Sequence, residues 1–247
     1  MRSSKKGLGK KVAKATGNIV ENAGKELVRM NEVKHRAKET AQWLNRIAIV
    51  GAPALDKLSA RVNKRLESVP QNRRLQMPPA TIAAPAMFQY ALLGDSSEVA
   101  ELREMFENLL VASMDKKTAS AAHPAFVSTI SQLTSDEARI LKSIDRTVYA
   151  VIEIYVHDLG GRRQVDFKTL LGRDCIIDQT KMHQYLSNLD RLGIIRFSSE
   201  HANSTKEYAF LEAEASAQYT SRHHQFAAPS ISTTALGEQF LNTCVRG

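Results

Sequence analysis

Positive charge is concentrated at one end of this chain, and that asymmetry constrains its architecture before any single motif does. Residues 1–74 carry 18 Lys/Arg against 6 Asp/Glu, a net of +12, whereas residues 75–247 carry 16 against 20, a net of −4. A basic arm is therefore joined to a mildly acidic body. Such an arm is drawn to polyanions: nucleic acid, an anionic membrane surface, or an acidic face of a partner or of the chain itself. With 247 residues, 43% of them hydrophobic, the chain can bury a sizeable core without covalent staples.

Residues 8–50 repeat apolar groups at steps of three and four, from Leu8, Val12, Ala15 and Ile19 to Leu44 and Ala48, which predicts amphipathic helix. Lys5, Lys6, Lys10, Lys11 and Lys14 cluster at its start and are candidate phosphate contacts. A second short helix follows over Leu55–Val69, with Leu58, Val62 and Leu66 inward. Pro70 to Pro85 reads as a connector. On this reading the arm is 1–74, a helical body is 75–157, and a third module is 158–247.

Within the body, Asp95-Ser96-Ser97-Glu98 caps a helix running to about Met114, with Glu98, Glu101, Glu104 and Glu107 along one face. The charge of the arm suits that acidic stripe, within one chain or between two. His123-Pro124 starts a short helix. Thr134 and Glu137 form a capping box that launches a helix expected to run through Val148 and Tyr155 until Gly160-Gly161 stops it.

The third module reads as a winged helix-turn-helix. Val165–Leu171 reads as a short strand or a helix start; taken as helix, Phe167–Gly172 fits the shorter one, and Asp178–Leu192 is the longer. Gly193 supplies the left-handed stop, while Ile194–Phe197 and Tyr208–Leu211 are the two wing strands. On the longer helix, Thr180, Lys181, Gln184 and Asn188 are candidate base contacts. Lys206 in the wing, with Arg162 and Arg163 before the first strand, are candidate phosphate contacts. The same fold also packs against protein, and Asp174, Asp178 and Asp190 lie close by in sequence. The predicted fold class is thus mainly α: a helical arm, a helical body and a winged-helix-like α+β module.

No catalytic constellation is present in the sequence. The seven histidines show neither an HExxH nor ligand spacing with Cys175 and Cys244, which read as small hydrophobes of a reducing compartment. GxSxG, P-loop and GxGxxG patterns do not occur. No secretory signal is seen, and Ile47–Leu55 and Thr81–Leu93 are proline-broken and too short to span a bilayer. The expectation is a cytoplasmic, non-enzymatic protein, at most lying on a membrane, with no cofactor, metal or small-molecule substrate. Its expected partner is nucleic acid first, then an anionic membrane surface, then further copies of itself.

The run Glu101-Leu102-Arg103-Glu104-Met105-Phe106-Glu107-Asn108-Leu109-Leu110-Val111-Ala112-Ser113-Met114-Asp115 is followed by His123-Pro124-Ala125-Phe126-Val127 and by Gln132–Ala138. Together they resemble the bacterial abortive-infection alpha (Abi-alpha) family. Leu75-Gln76-Met77-Pro78-Pro79 and Thr234-Ala235-Leu236-Gly237 are similar to it as well. The resemblance covers roughly residues 70–245 and implies a role in defence against bacteriophage, without a chemistry. Asn108, Asp115, His123 and Pro124 match its motif and are expected to be scaffold.

Overall fold

The computed structural model describes residues 52–145, 147–158, 161–175, 178–200, 205–220 and 224–247. Contacts divide the chain into residues 1–53 and a compact unit, Ala54–Gly247. The helix expected over residues 8–50 lies outside the described residues.

Helix α1 (52–66) buries Ala54, Leu58, Val62 and Leu66, one stripe at four-residue spacing. Residues 55–74, counted with the arm on their charge, belong to the compact unit. Helix α2 (Ala80–Leu93) contains Pro85 and begins inside the expected connector. Ser96 accepts from the Glu98 backbone N–H and opens a short 3-10 turn into α3 (Ala100–Met114). Helix α4 (Ala125–Ser131) follows His123-Pro124. The capping box is complete: Glu137 N–H donates to Thr134 Oγ1 at 3.2 Å, and Thr134 N–H donates to Glu137 at 2.6 Å.

The helix that this box launches, α5, ends at Lys142 rather than Tyr155 (Ser135–Lys142). Its expected continuation is strand β1 (Val148–Asp158), hairpin-paired with β2 (Gly161–Thr169). Helix α6 (Met182–Arg191) and strand β3 (Ile195–Ser198) occur where the sequence places them, and Gly193 takes the left-handed φ of +72°. The second wing strand does not form. Tyr208–Leu211 lies instead in helix α7 (Thr205–Gln218). Strands β4 (His224–Ala227) and β5 (Ser230–Thr233) precede α8 (Ala235–Phe240) and a π-turn, Leu241–Val245.

The mainly α, winged-helix class is therefore corrected to α+β. A five-stranded antiparallel sheet runs β2-β1-β5-β3, with β4 also on β1. Of the two readings of Val165–Leu171, strand is the one the structure shows, and Phe167 pairs with Glu153 in the β1–β2 ladder instead of lying in the first helix of a helix-turn-helix. The misleading signal was the step of three and four from Val148 to Val151, Ile152 and Tyr155. Adjacent Val151 and Ile152 are both buried because helices cover both faces of β1, and a doubly covered strand loses its alternation.

One sheet face, with Tyr149, Val151, Phe167, Ile195 and Ile231, joins the large core formed with the body helices and α6. The other face, with Ala150, Ile152 and Ile154, packs under Tyr208, Leu211 and Ala215 of α7. The sheet is thus a middle layer with a thick helical side and a single helix opposite.

Candidate nucleic-acid interface

Charge is more sharply segregated than an arm ending at residue 74 suggests. Residues 1–51 hold 12 Lys/Arg against 4 Asp/Glu, and residues 52–247 hold 22 against 22. The whole net charge of +8 thus resides in the first 51 residues. Among residues 52–74 the cations are largely engaged with the body. Lys57 pairs with Asp95 at 2.5 Å, Arg61 with Glu107 at 3.0 Å, and Arg65 with Glu104 at 3.4 Å and Glu107 at 3.3 Å. Arg73 pairs with Asp115. The acidic stripe of α3 serves this docking: Glu107 is buried, Glu104 also meets Lys142, and Glu101 meets Arg139 at 3.5 Å, while Glu98 stays exposed. Tyr90 donates to Glu107 at 3.1 Å, and its phenol is pushed up to about 12, first by burial and then by that carboxylate.

The motif residues sit at joints of this scaffold. Asn108 donates to the Cys244 carbonyl at 2.9 Å and accepts from Arg65. Asp115 ends α3, accepts from the Lys117 N–H at 2.9 Å and is gripped by Arg73 through two nitrogens. Arg73 holds its carboxyl below the usual range against the opposing effect of burial. His123 Nδ1 accepts from the Ala125 N–H at 3.1 Å, and Pro124 stands at the head of α4.

Among the described residues, the candidate nucleic-acid contacts lie on or just before α6, at the start of α7 and on β2. Asn188 donates to the Gln132 carbonyl at 3.1 Å and to Glu137 at 2.8 Å and accepts from Arg191, so its amide serves the fold. Lys181 pairs with Asp178 at 2.9 Å. Gln184 is exposed on α6, which packs against β3 and α5. Lys206 opens α7, whose first turns lie by Pro229 and whose end meets Asp166, on β2. Arg163 is exposed on β2, and the Arg162 guanidinium lies over the Tyr155 ring, 3.7 Å from its centroid. Lys5, Lys6, Lys10, Lys11 and Lys14 lie outside the described residues.

Two clefts escape sequence reasoning because both depend on the β1–β2 hairpin. The first, about 230 Å³, follows the outer edge of β2 between Asp166, Phe167, Thr180 and His183. Burial alone would raise the Asp166 carboxyl, but hydrogen bonds from Tyr219, Lys168 and the Phe167 N–H outweigh it and lower it. The second, about 620 Å³, lies over the sheet between Glu153, Tyr155, Arg162 and Phe197. Among the described residues, no cluster of three or more His, Cys, Asp or Glu is arranged to hold a metal ion.

The family described as "Abortive infection alpha" matches residues 52–244, a span that begins with α1 and ends within the final π-turn. The chain belongs to the abortive infection alpha family. Membership points to a role in abortive infection, a form of defence. For this family member, the arm that carries the charge lies before the matched span, so the family says nothing of its ligand. No curated protein matches the chain. A solved structure of an uncharacterized protein from the hydrocarbon-degrading marine bacterium Alcanivorax borkumensis SK2 is 18% identical. It covers 52% of this chain and 94% of its own, with a TM-score of 0.33.

Proposed function

We propose that this abortive infection alpha protein acts without catalysis, by binding a polyanion, nucleic acid, through its first 51 residues, while the body serves as a neutral scaffold. The carrying observation is the charge split, +8 before residue 52 and zero after it. A body with as many Asp/Glu as Lys/Arg contributes little long-range attraction, so a polyanion is drawn to the N-terminal segment. Base reading by α6 forms no part of this proposal, since Asn188 and Lys181 are committed within the fold.

A second reading, docking on anionic lipid, is favoured by α2. From Leu75 to Gly94 there is no charged residue, and on α2 Met87 and Leu92 are exposed at 40% and 55%. A helix apolar on every side covers something or is covered. Among the described residues no helix is long and apolar enough to cross a membrane. The experiment offers the full chain labelled duplex DNA, labelled RNA, and vesicles of anionic lipid at equal phosphate concentration. Preference for the nucleic acids supports the first reading. Flotation with vesicles alone replaces it with the second.

A further inference from the structure

The cavity over the sheet has the chemistry of a base-binding site. Tyr155 and Glu153 stand on the same face of β1, two residues apart, and the Tyr155 hydroxyl donates to Glu153 Oε2 at 2.7 Å. That bond pins the ring and, with burial, keeps the phenol protonated by raising it above its ordinary value. Across the strand pair, the Arg162 guanidinium stacks on the ring at 3.7 Å. Phe197 and Ser198, from β3, form part of the far wall. The arrangement is a flat cationic π surface, a carboxylate and a hydroxyl around a space of about 620 Å³, in the range of small-ligand sites.

An unpaired base needs a flat partner to stack on, hydrogen-bonding groups at its edge and a cation near its phosphate. A carboxylate accepts from an exocyclic amino group such as that of cytosine. A base held in a duplex is already stacked on its neighbours and cannot enter. We propose that this cavity receives an unpaired base of single-stranded nucleic acid, stacked on the Tyr155–Arg162 pair with Glu153 at its edge. The inference rests on the nucleic-acid reading above and adds strand selectivity to it.

The test uses the full chain and fluorescent twelve-residue oligocytidine, as RNA and as DNA, beside a duplex of equal length at one salt concentration. Tyr155→Leu should weaken single-strand binding by about tenfold, the size of one lost base stack, and duplex binding by less than about twofold. Tyr155→Phe keeps the stacking face but loses the bond that pins it, and should lose clearly less single-strand affinity than Tyr155→Leu. Arg162→Gln, which leaves the core untouched, should follow Tyr155→Leu. Equal losses on single strand and duplex, or Tyr155→Phe as weak as Tyr155→Leu, would overturn the site while leaving the parent reading intact. A wild-type chain that binds neither oligonucleotide overturns both.

Discussion

The side-chain amide of Asn108 donates to the carbonyl oxygen of Cys244, 136 residues further along the chain, at 2.9 Å. A polar side chain buried on α3 thereby ties down the final turn, and its oxygen simultaneously accepts from Arg65 of α1. Asn108→Leu removes both bonds and leaves the carbonyl of a buried residue without this donor. The expected loss is about 1–3 kcal/mol, with faster hydrogen exchange concentrated in residues 241–247 and α1.

Glu107 gives a second prediction. It is 2% exposed and receives Arg61, Arg65 and Tyr90. Glu107→Ala strands these partners and is expected to cost about 3 kcal/mol in chemical denaturation. Glu98→Ala, on the same face but exposed, should change stability by less than about 0.5 kcal/mol. Equal effects would mean that the acidic stripe does not anchor α1.

Gly237 is required by closeness rather than by flexibility. A Cβ at this position would lie 1.9 Å from the Ile194 carbonyl oxygen, a backbone atom that cannot swing aside. Thr234 fixes the same joint, donating to the Gly193 carbonyl and accepting from the Gly237 N–H at 2.8 Å. Gly237→Ala should cost about 3 kcal/mol, read as a lowered melting temperature. Gly94→Ala meets open space, so its cost, about 1–3 kcal/mol, would come from backbone strain alone, at a φ of +69° and ψ of −167° that glycine tolerates and alanine does not.

The Arg73–Asp115 pair sets an acid dependence. Arg73 lowers the carboxyl in the folded state, so the folded protein binds that proton less readily than the unfolded chain. The contribution is complete above the unfolded value of about 3.9 and is lost as pH falls through the lower folded value. Melting temperatures taken between about pH 6 and about pH 2 should fall more shallowly on the acid side for Asp115→Asn than for wild type. Parallel acid limbs would remove this pair from the account.

Legibility in the sequence followed the range of each interaction. The Thr134–Glu137 box and Ser96 cap read correctly because both partners lie within a turn of each other. So did the Leu192-Gly193 helix end, whose stop is a local conformation of one glycine. The β1 strand did not read as one, since its sequence fits two periods and only its burial on both faces decides between them. For α7, Tyr208 and Leu211 resembled a short strand until Ala215 extended the same stripe by four. Docking of α1 on α3 was anticipated only as charge complementarity. The pairings of Arg61 with Glu107 and of Arg65 with Glu104 span about forty residues, which no local pattern encodes. The Tyr155–Arg162 platform, only seven residues apart, was hidden because it exists only once β1 and β2 pair.

The central claim, that charge in the first 51 residues draws this protein to nucleic acid, is tested most directly by one salt titration. The affinity of the full chain for duplex DNA is measured across salt concentrations, beside a variant with Lys5, Lys6, Lys10, Lys11 and Lys14 replaced by Gln. Wild type should lose affinity steeply, and the variant's log–log slope should be shallower by about 4, close to one unit per released counterion. Identical slopes, or an affinity indifferent to salt, would contradict the account.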